Sequence, residues 1–154
     1  MKINFTKKEY QTLVEMLLVA DWVITGHEEE EREATKPYKE LRTKVLSHHK
    51  EMGMAEAFKY SPEYDEYFET TAYEASAAHV RFIEEYDEQV FWEELAIRLA
   101  ERDFVAEEML NMEGLRSEDE GTERLLEITT GYEQEFAENG LANLQLVLET
   151  PPVH

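Results

Sequence analysis

His27-Glu28-Glu29-Glu30-Glu31 is the densest run of potential cation ligands in this sequence. A hard divalent ion would take such oxygens, but an EF-hand loop alternates its ligands and turns on a glycine, and this linear run does neither. It reads as a solvated connection. Ser76 and His79 stand within helical reach of each other, yet Glu74 is two residues from the serine and so off the shared face, which leaves the pair without an orienting acid. No histidine follows a glutamate by three residues, and HExxH is absent, so neither a di-iron bundle nor a zincin motif is present. The six glycines lie at 26, 53, 114, 121, 131 and 140, too far apart for a GxGxxG fingerprint or a Walker A loop. No cofactor is expected from these motifs, and no metal site or catalytic residue is assigned.

Two other constellations are candidates for a role. Asp21 falls on the apolar face of the first expected helix, where a carboxylate either sits at the edge of the core or is buried with a partner, and Arg98, lodged between Leu95 and Leu99 on a later one, is the candidate for a buried ion pair with it. Between Phe58 and Tyr86 eight aromatic side chains are interleaved with seven acids. Tyrosine contributes amphipathic contact area at small entropic cost, so Tyr64, Tyr67 and Tyr73, with Asp65 and Glu66, are the candidate residues for engaging a basic partner. Packing of the rings into the core, hydroxyls outward, is the competing expectation.

Charge supports that choice of partner. The net charge is −21, and residues 61–154 hold five arginines against twenty-five acids while residues 1–60 are nearly balanced, with ten basic residues against eleven acids. No lysine follows Lys59. Such a surface repels phosphate backbones and gains no counterion release, which argues against direct nucleic-acid binding. Glutamate, 31 of the 36 acids, also serves simply as a soluble helix former.

The elements that must position these residues are mostly helical. Thr6 and Glu9 form a capping box, so a first helix should begin at Lys7, with Tyr10, Leu13, Val14, Leu17 and Ile24 inward and Gly26 as a left-handed end. Pro37 suits the first turn of a second helix whose stripe runs Tyr38, Leu41, Val45, His48 or His49, and Met52, stopping at Gly53. Adjacent histidines point about 100° apart on a helix, so one of the two flanks the core. Ser61-Pro62 marks another helix start, and Thr71 with Glu74 caps an alanine-rich helix over about 72–85. Asp87 then caps the central helix, 88–104, whose Phe91, Trp92, Leu95 and Leu99 share one face. Ser117 and Glu120 cap a last helix with Leu125, Ile128, Tyr132 and Phe136 inward, ended by Asn139-Gly140. Ile3 to Phe5 and Leu144 to Leu148 alternate in a way that permits a two-stranded pairing of the N- and C-termini.

The stretch Tyr86-Asp87-Glu88, Phe91-Trp92, Leu95 and Arg98-Leu99-Ala100-Glu101-Arg102-Asp103 resembles one in small acidic bacterial proteins of uncharacterised function. That resemblance implies no activity and no functional residue.

Residues 1–154 thus read as a single, mainly α-helical domain of five to seven helices with room for a short pairing of the chain ends. No cysteine is present, and the longest apolar run, Met16 to Ala20, is too short for a membrane span, so a soluble cytoplasmic protein is expected. The leading expectation is a non-enzymatic protein-binding or regulatory module, a charge mimic of nucleic acid included. The alternative is a hydrolase or metal-dependent enzyme whose acids converge from separate helices. A leftover apolar face would make a homodimer.

Overall fold

The computed structural model describes residues 3–30, 32–111, 114 and 116–145. The fold is mainly α: 64% of the described residues are helical, and among them are five helices and one two-stranded antiparallel sheet. In chain order these are α1 (Lys7–Thr25), α2 (Lys36–Leu46), β1 (Phe58–Ser61), β2 (Glu66–Glu69), α3 (Thr71–Glu74), α4 (Ala78–Leu110) and α5 (Glu118–Asn139). The chain divides into two compact units, Met1–Tyr86 and Asp87–His154.

The first unit is organised by burial. Thr6 caps α1 as expected, its hydroxyl accepting from the Glu9 amide while the Glu9 carboxylate takes the Thr6 amide at 2.8 Å. Tyr10, Val14 and Leu18, four residues apart, put one stripe of α1 into a core shared with Leu46, Met54, Ala57 and Phe58. Each such side chain is worth roughly 1.5–3 kcal/mol when fully buried, which outweighs the cap at roughly 1 kcal/mol. α1 ends at Gly26 in right-handed geometry, φ −58°, with its N–H on the Trp22 carbonyl, so the left-handed end expected there is not formed. α2 does start at the Lys36-Pro37 pair but stops at Leu46, and turns follow as far as Gly53. Tyr38 and Leu41, expected inside, are exposed, because the stripe that reaches the core is the C-terminal one, Val45 and Leu46.

The helix expected from Ser61-Pro62 is a β-hairpin. Phe58 pairs with Glu69, Lys59 with Phe68, Tyr60 with Tyr67 and Ser61 with Glu66. Aromatic residues favour the pleated backbone, and Pro62 opens the intervening turn as readily as it would open a helix. Asp65 closes that turn at φ 53°, a conformation aspartate tolerates better than most non-glycine residues. The register places Phe58, Tyr60, Tyr67 and Glu69 on one face, and Lys59, Ser61, Glu66 and Phe68 on the other. Thr70, one residue earlier than expected, caps the short α3 by accepting from the Tyr73 amide.

α4 corrects the expectation of two helices meeting at Asp87. Its 33 residues run unbroken, with neither glycine nor proline between Ala78 and Leu110. An aspartate inside a helix costs at most about 0.7 kcal/mol against alanine, too little to force an end where the backbone ladder can continue. In the second unit, residues 87–110 and α5 form an antiparallel pair: Trp92 lies 5.5 Å from Phe136 between ring centroids, Tyr132 bonds Asp103, and Arg124 bonds Glu107. Ala96, Ala100 and Phe136 are buried among its described residues. Ser117 and Glu120 form the expected capping box, and Gly140 ends α5 at φ 56° with its N–H on the Phe136 carbonyl. Ile3 to Phe5 is not in a strand, and the expected partner strand beyond Gln145 lies outside the described residues.

Candidate functional site

The five residues expected to engage a partner come from one hairpin and the helix after it, and the structure divides them. Tyr64 and Asp65 sit in the turn, where Tyr64 is 65% exposed and its ring meets Phe68 edge-on at 5.9 Å. The Tyr60 hydroxyl donates to Asp65, and that bond, with some burial, holds the phenol above its ordinary range. Tyr64, Asp65 and Glu66 line a cavity together with Lys36, Lys39 and Lys44 of α2, so the tip is a mixed-charge surface rather than an acidic one. Tyr67 and Tyr73 are half-buried against the core. Tyr67 packs on His49 and Tyr60 at 5.3 and 5.1 Å between centroids, and Tyr73 packs on Phe58 at 5.4 Å. Burial pushes the Tyr73 phenol up to about 12, with the Glu15 carboxylate adding to it.

Two charge pairs between elements of the first unit are announced by no local spacing. Asp21 of α1 meets Arg42 of α2 at 3.2 Å, and Glu69 of β2 meets His79 of α4 at 3.1 Å. Burial raises the Glu69 carboxyl above its ordinary value; His79 and Arg42 pull it back down, while Glu74 adds to the rise. Glu69 is the acid that the Ser76–His79 reading lacked. It comes from the hairpin, across the fold, so helical spacing could not find it. His79 is only 2% exposed, and the Ser76 hydroxyl donates to the Ala72 and Tyr73 carbonyls of its own turn. A substrate has no approach to that imidazole, and the dyad joins β2 to the start of α4 instead.

Asp21 and Arg98, expected as a pair, each take a partner within their own unit. Asp21 has Arg42, whereas Arg98, its side chain 75% exposed, takes Glu94 one turn back at 3.0 Å. The lure in the sequence was placement on an apolar stripe; the stripe of α4 that is buried follows Ala96 and Ala100 instead.

The second unit concentrates the acids. It holds eighteen acids against four arginines, a balance of −14, and no lysine. Every one of those arginines is engaged by the unit's own carboxylates: Arg98 by Glu94, Arg102 by Asp103 at 2.7 Å, Arg116 by Glu107 and Glu108, and Arg124 by Glu107 and Glu127. Arg124 grips Glu107 with two bonds, 3.0 and 2.7 Å, which holds that carboxyl below its usual range. Arg102 and the Tyr132 hydroxyl do the same for Asp103. On α5, Glu118, Asp119, Glu120, Glu123, Glu127, Glu133 and Glu138 face solvent.

Among the described residues no group of three or more histidines and acids is gathered to hold a metal ion. No described helix is long and apolar enough to cross a membrane. No protein-family model matches the chain, and no curated protein or solved structure is significantly similar to it.

Proposed function

We propose that this protein is a non-enzymatic binding or regulatory module that engages a basic protein partner through its acidic second unit. The observation that carries this reading is the internal use of all four arginines of that unit. What they leave is a helical surface with a large surplus of carboxylates and no local cation to compete for them. Such a field steers a cationic partner and raises its association rate, with a strength that falls as salt screens it over about 10 Å at 0.1 M. The acids Asp65 and Glu66, which lie beside three lysines, are a weaker source of that field than α5. Tyr64 remains as an exposed aromatic contact at the hairpin tip.

The test is titration of the intact protein with a lysine- and arginine-rich peptide by calorimetry at low and at near-physiological salt. Affinity should fall steeply with salt and should drop further in an E123Q/E133Q variant, which removes exposed charge and leaves the arginine pairs in place. Salt-independent binding, or unchanged binding by the variant, sinks the reading.

A further inference from the structure

The Tyr10 hydroxyl donates to the Val45 carbonyl at 2.7 Å, which fastens the first turn of α1 to the last turn of α2. Both residues line a cavity of about 640 Å³, within the size range of small-molecule sites. Its floor is apolar: Tyr10 is buried, and Leu13, Val45 and Met52 are half-buried. The bond to Val45 already occupies the one polar atom of the Tyr10 side chain. Ile3, Phe5 and Leu41 line the same cavity and are exposed, so the rim is hydrocarbon as well. A contiguous apolar surface left in water in this way marks a binding groove.

The polar part of the lining narrows the ligand. His48 Nδ1 stands 3.7 Å from the Glu51 carboxylate, so those two groups answer each other. The Lys44 ammonium has no ion pair or hydrogen bond among the described residues, in a chain of net charge −21. Lys44 also borders the hairpin-tip cavity, but it pairs with neither Asp65 nor Glu66 there. Leu41 lies one turn before both Lys44 and Val45 on α2, so this exposed cation stands on the same side of the helix as the apolar rim. Aliphatic walls that include a methionine conform to a flexible chain, and a free ammonium at their edge asks for an anion. A second copy of the chain fits less well, since it would bring the same large negative charge to the contact.

We propose that this cleft binds an aliphatic carboxylate, its chain against Phe5, Leu13, Leu41 and Met52 and its carboxylate on the Lys44 ammonium. The site is independent of the acidic second unit, because every lining residue falls between Ile3 and Met52.

The intact protein is titrated by calorimetry with hexanoate, octanoate and decanoate below their micellar concentrations. Octanol, octylammonium and anionic phospholipid vesicles serve as controls. One-site saturable binding is expected, tightening by up to about fourfold for each added methylene. K44Q should lower octanoate affinity to that of octanol, and L41E, which sets a carboxylate on the rim, should abolish it. Both positions are exposed, and circular dichroism checks that each variant keeps its helices. Octanoate should shift the backbone amide signals of residues 3–5 and 41–48 in NMR spectra. The proposal is overturned if octanoate does not saturate the protein, if octanol or octylammonium binds as tightly, or if affinity ignores chain length. It is equally overturned if either variant binds octanoate unchanged, if the shifted amides lie elsewhere, or if only vesicles or, by sedimentation, a second copy occupy the cleft.

Discussion

The two units of this protein are built on opposite economies of interaction. Residues 1–86 bury a contiguous cluster around Val14 and Leu46, both fully inaccessible, and carry eighteen acids against eleven lysines and arginines. The described part of residues 87–154 buries little beyond Ala96, Ala100 and Phe136 but carries a ladder of arginine–carboxylate contacts and a run of rings, Phe91, Trp92, Phe136 and Tyr132. The first is held by apolar area, which salt and moderate pH leave alone. The second leans on exposed charge, which both attenuate. The unit with the weaker core is therefore also the one whose surface is available to a partner of opposite charge.

The largest effect expected from this contrast is in the first unit. Leu46→Ala empties a fully buried site and should destabilise the fold by about 2–5 kcal/mol in urea unfolding; a loss below about 1 kcal/mol would mean that burial is not what holds residues 1–86.

Acid separates the units by sign. Asp103 and Glu107 have lowered folded pKa values, so their contribution is complete above the ordinary carboxylate range and is lost as pH falls from there through the folded values. Glu69 is raised, so the folded state binds the extra proton and this site loses stability as pH rises from 4.5 toward its folded value. Hydrogen exchange across that range should show α5 amides losing protection on acidification, and E69Q should remove the opposite trend around β2. If α5 protection is indifferent to pH down to 3, roughly a unit below the ordinary carboxylate range, the charge ladder contributes nothing.

The smallest effect is a pair of substitutions at residues that look alike in the sequence. Asp21→Ala deprives the mostly buried Arg42 of a partner and should cost about 1–3 kcal/mol. Arg98→Ala removes a solvent-exposed contact and should stay within about 0.5 kcal/mol of the parent by the same urea titration. Equal costs for the two would mean that burial does not set the worth of these ion pairs.

Much of the helical skeleton was legible without coordinates because its signals act over three or four residues. Thr6 with Glu9 and Ser117 with Glu120 each satisfy backbone amides of their own first turn, and both boxes formed as read. The hairpin was not legible, since Ser61-Pro62 opens a turn or a helix equally well and only the pairing of Tyr60 with Tyr67 decides between them. Asp87 misled for a related reason: it has the chemistry of a cap, but a cap acts only where the helix has somewhere else to go. Of the candidate contact residues, Tyr64 is exposed, whereas Tyr67 and Tyr73 turn their rings to the core, which a ring flanked by carboxylates does not announce.

What the amino-acid sequence determined by itself is the mainly helical character of the chain, the starts of α1, α2 and α5, and the crowding of negative charge after residue 60. Each of these depends on propensity, on caps a few residues long, or on composition. Tertiary structure decided the partners, Arg42 for Asp21 and Glu69 for His79, and the surroundings: three lysines lining the same cavity as Asp65 and Glu66, and an unpaired nitrogen on His49. A charge or a ring acquires its pKa, its exposure and its role from groups within a few ångströms, and in the first unit those groups come from other elements, ten or more residues away in the chain.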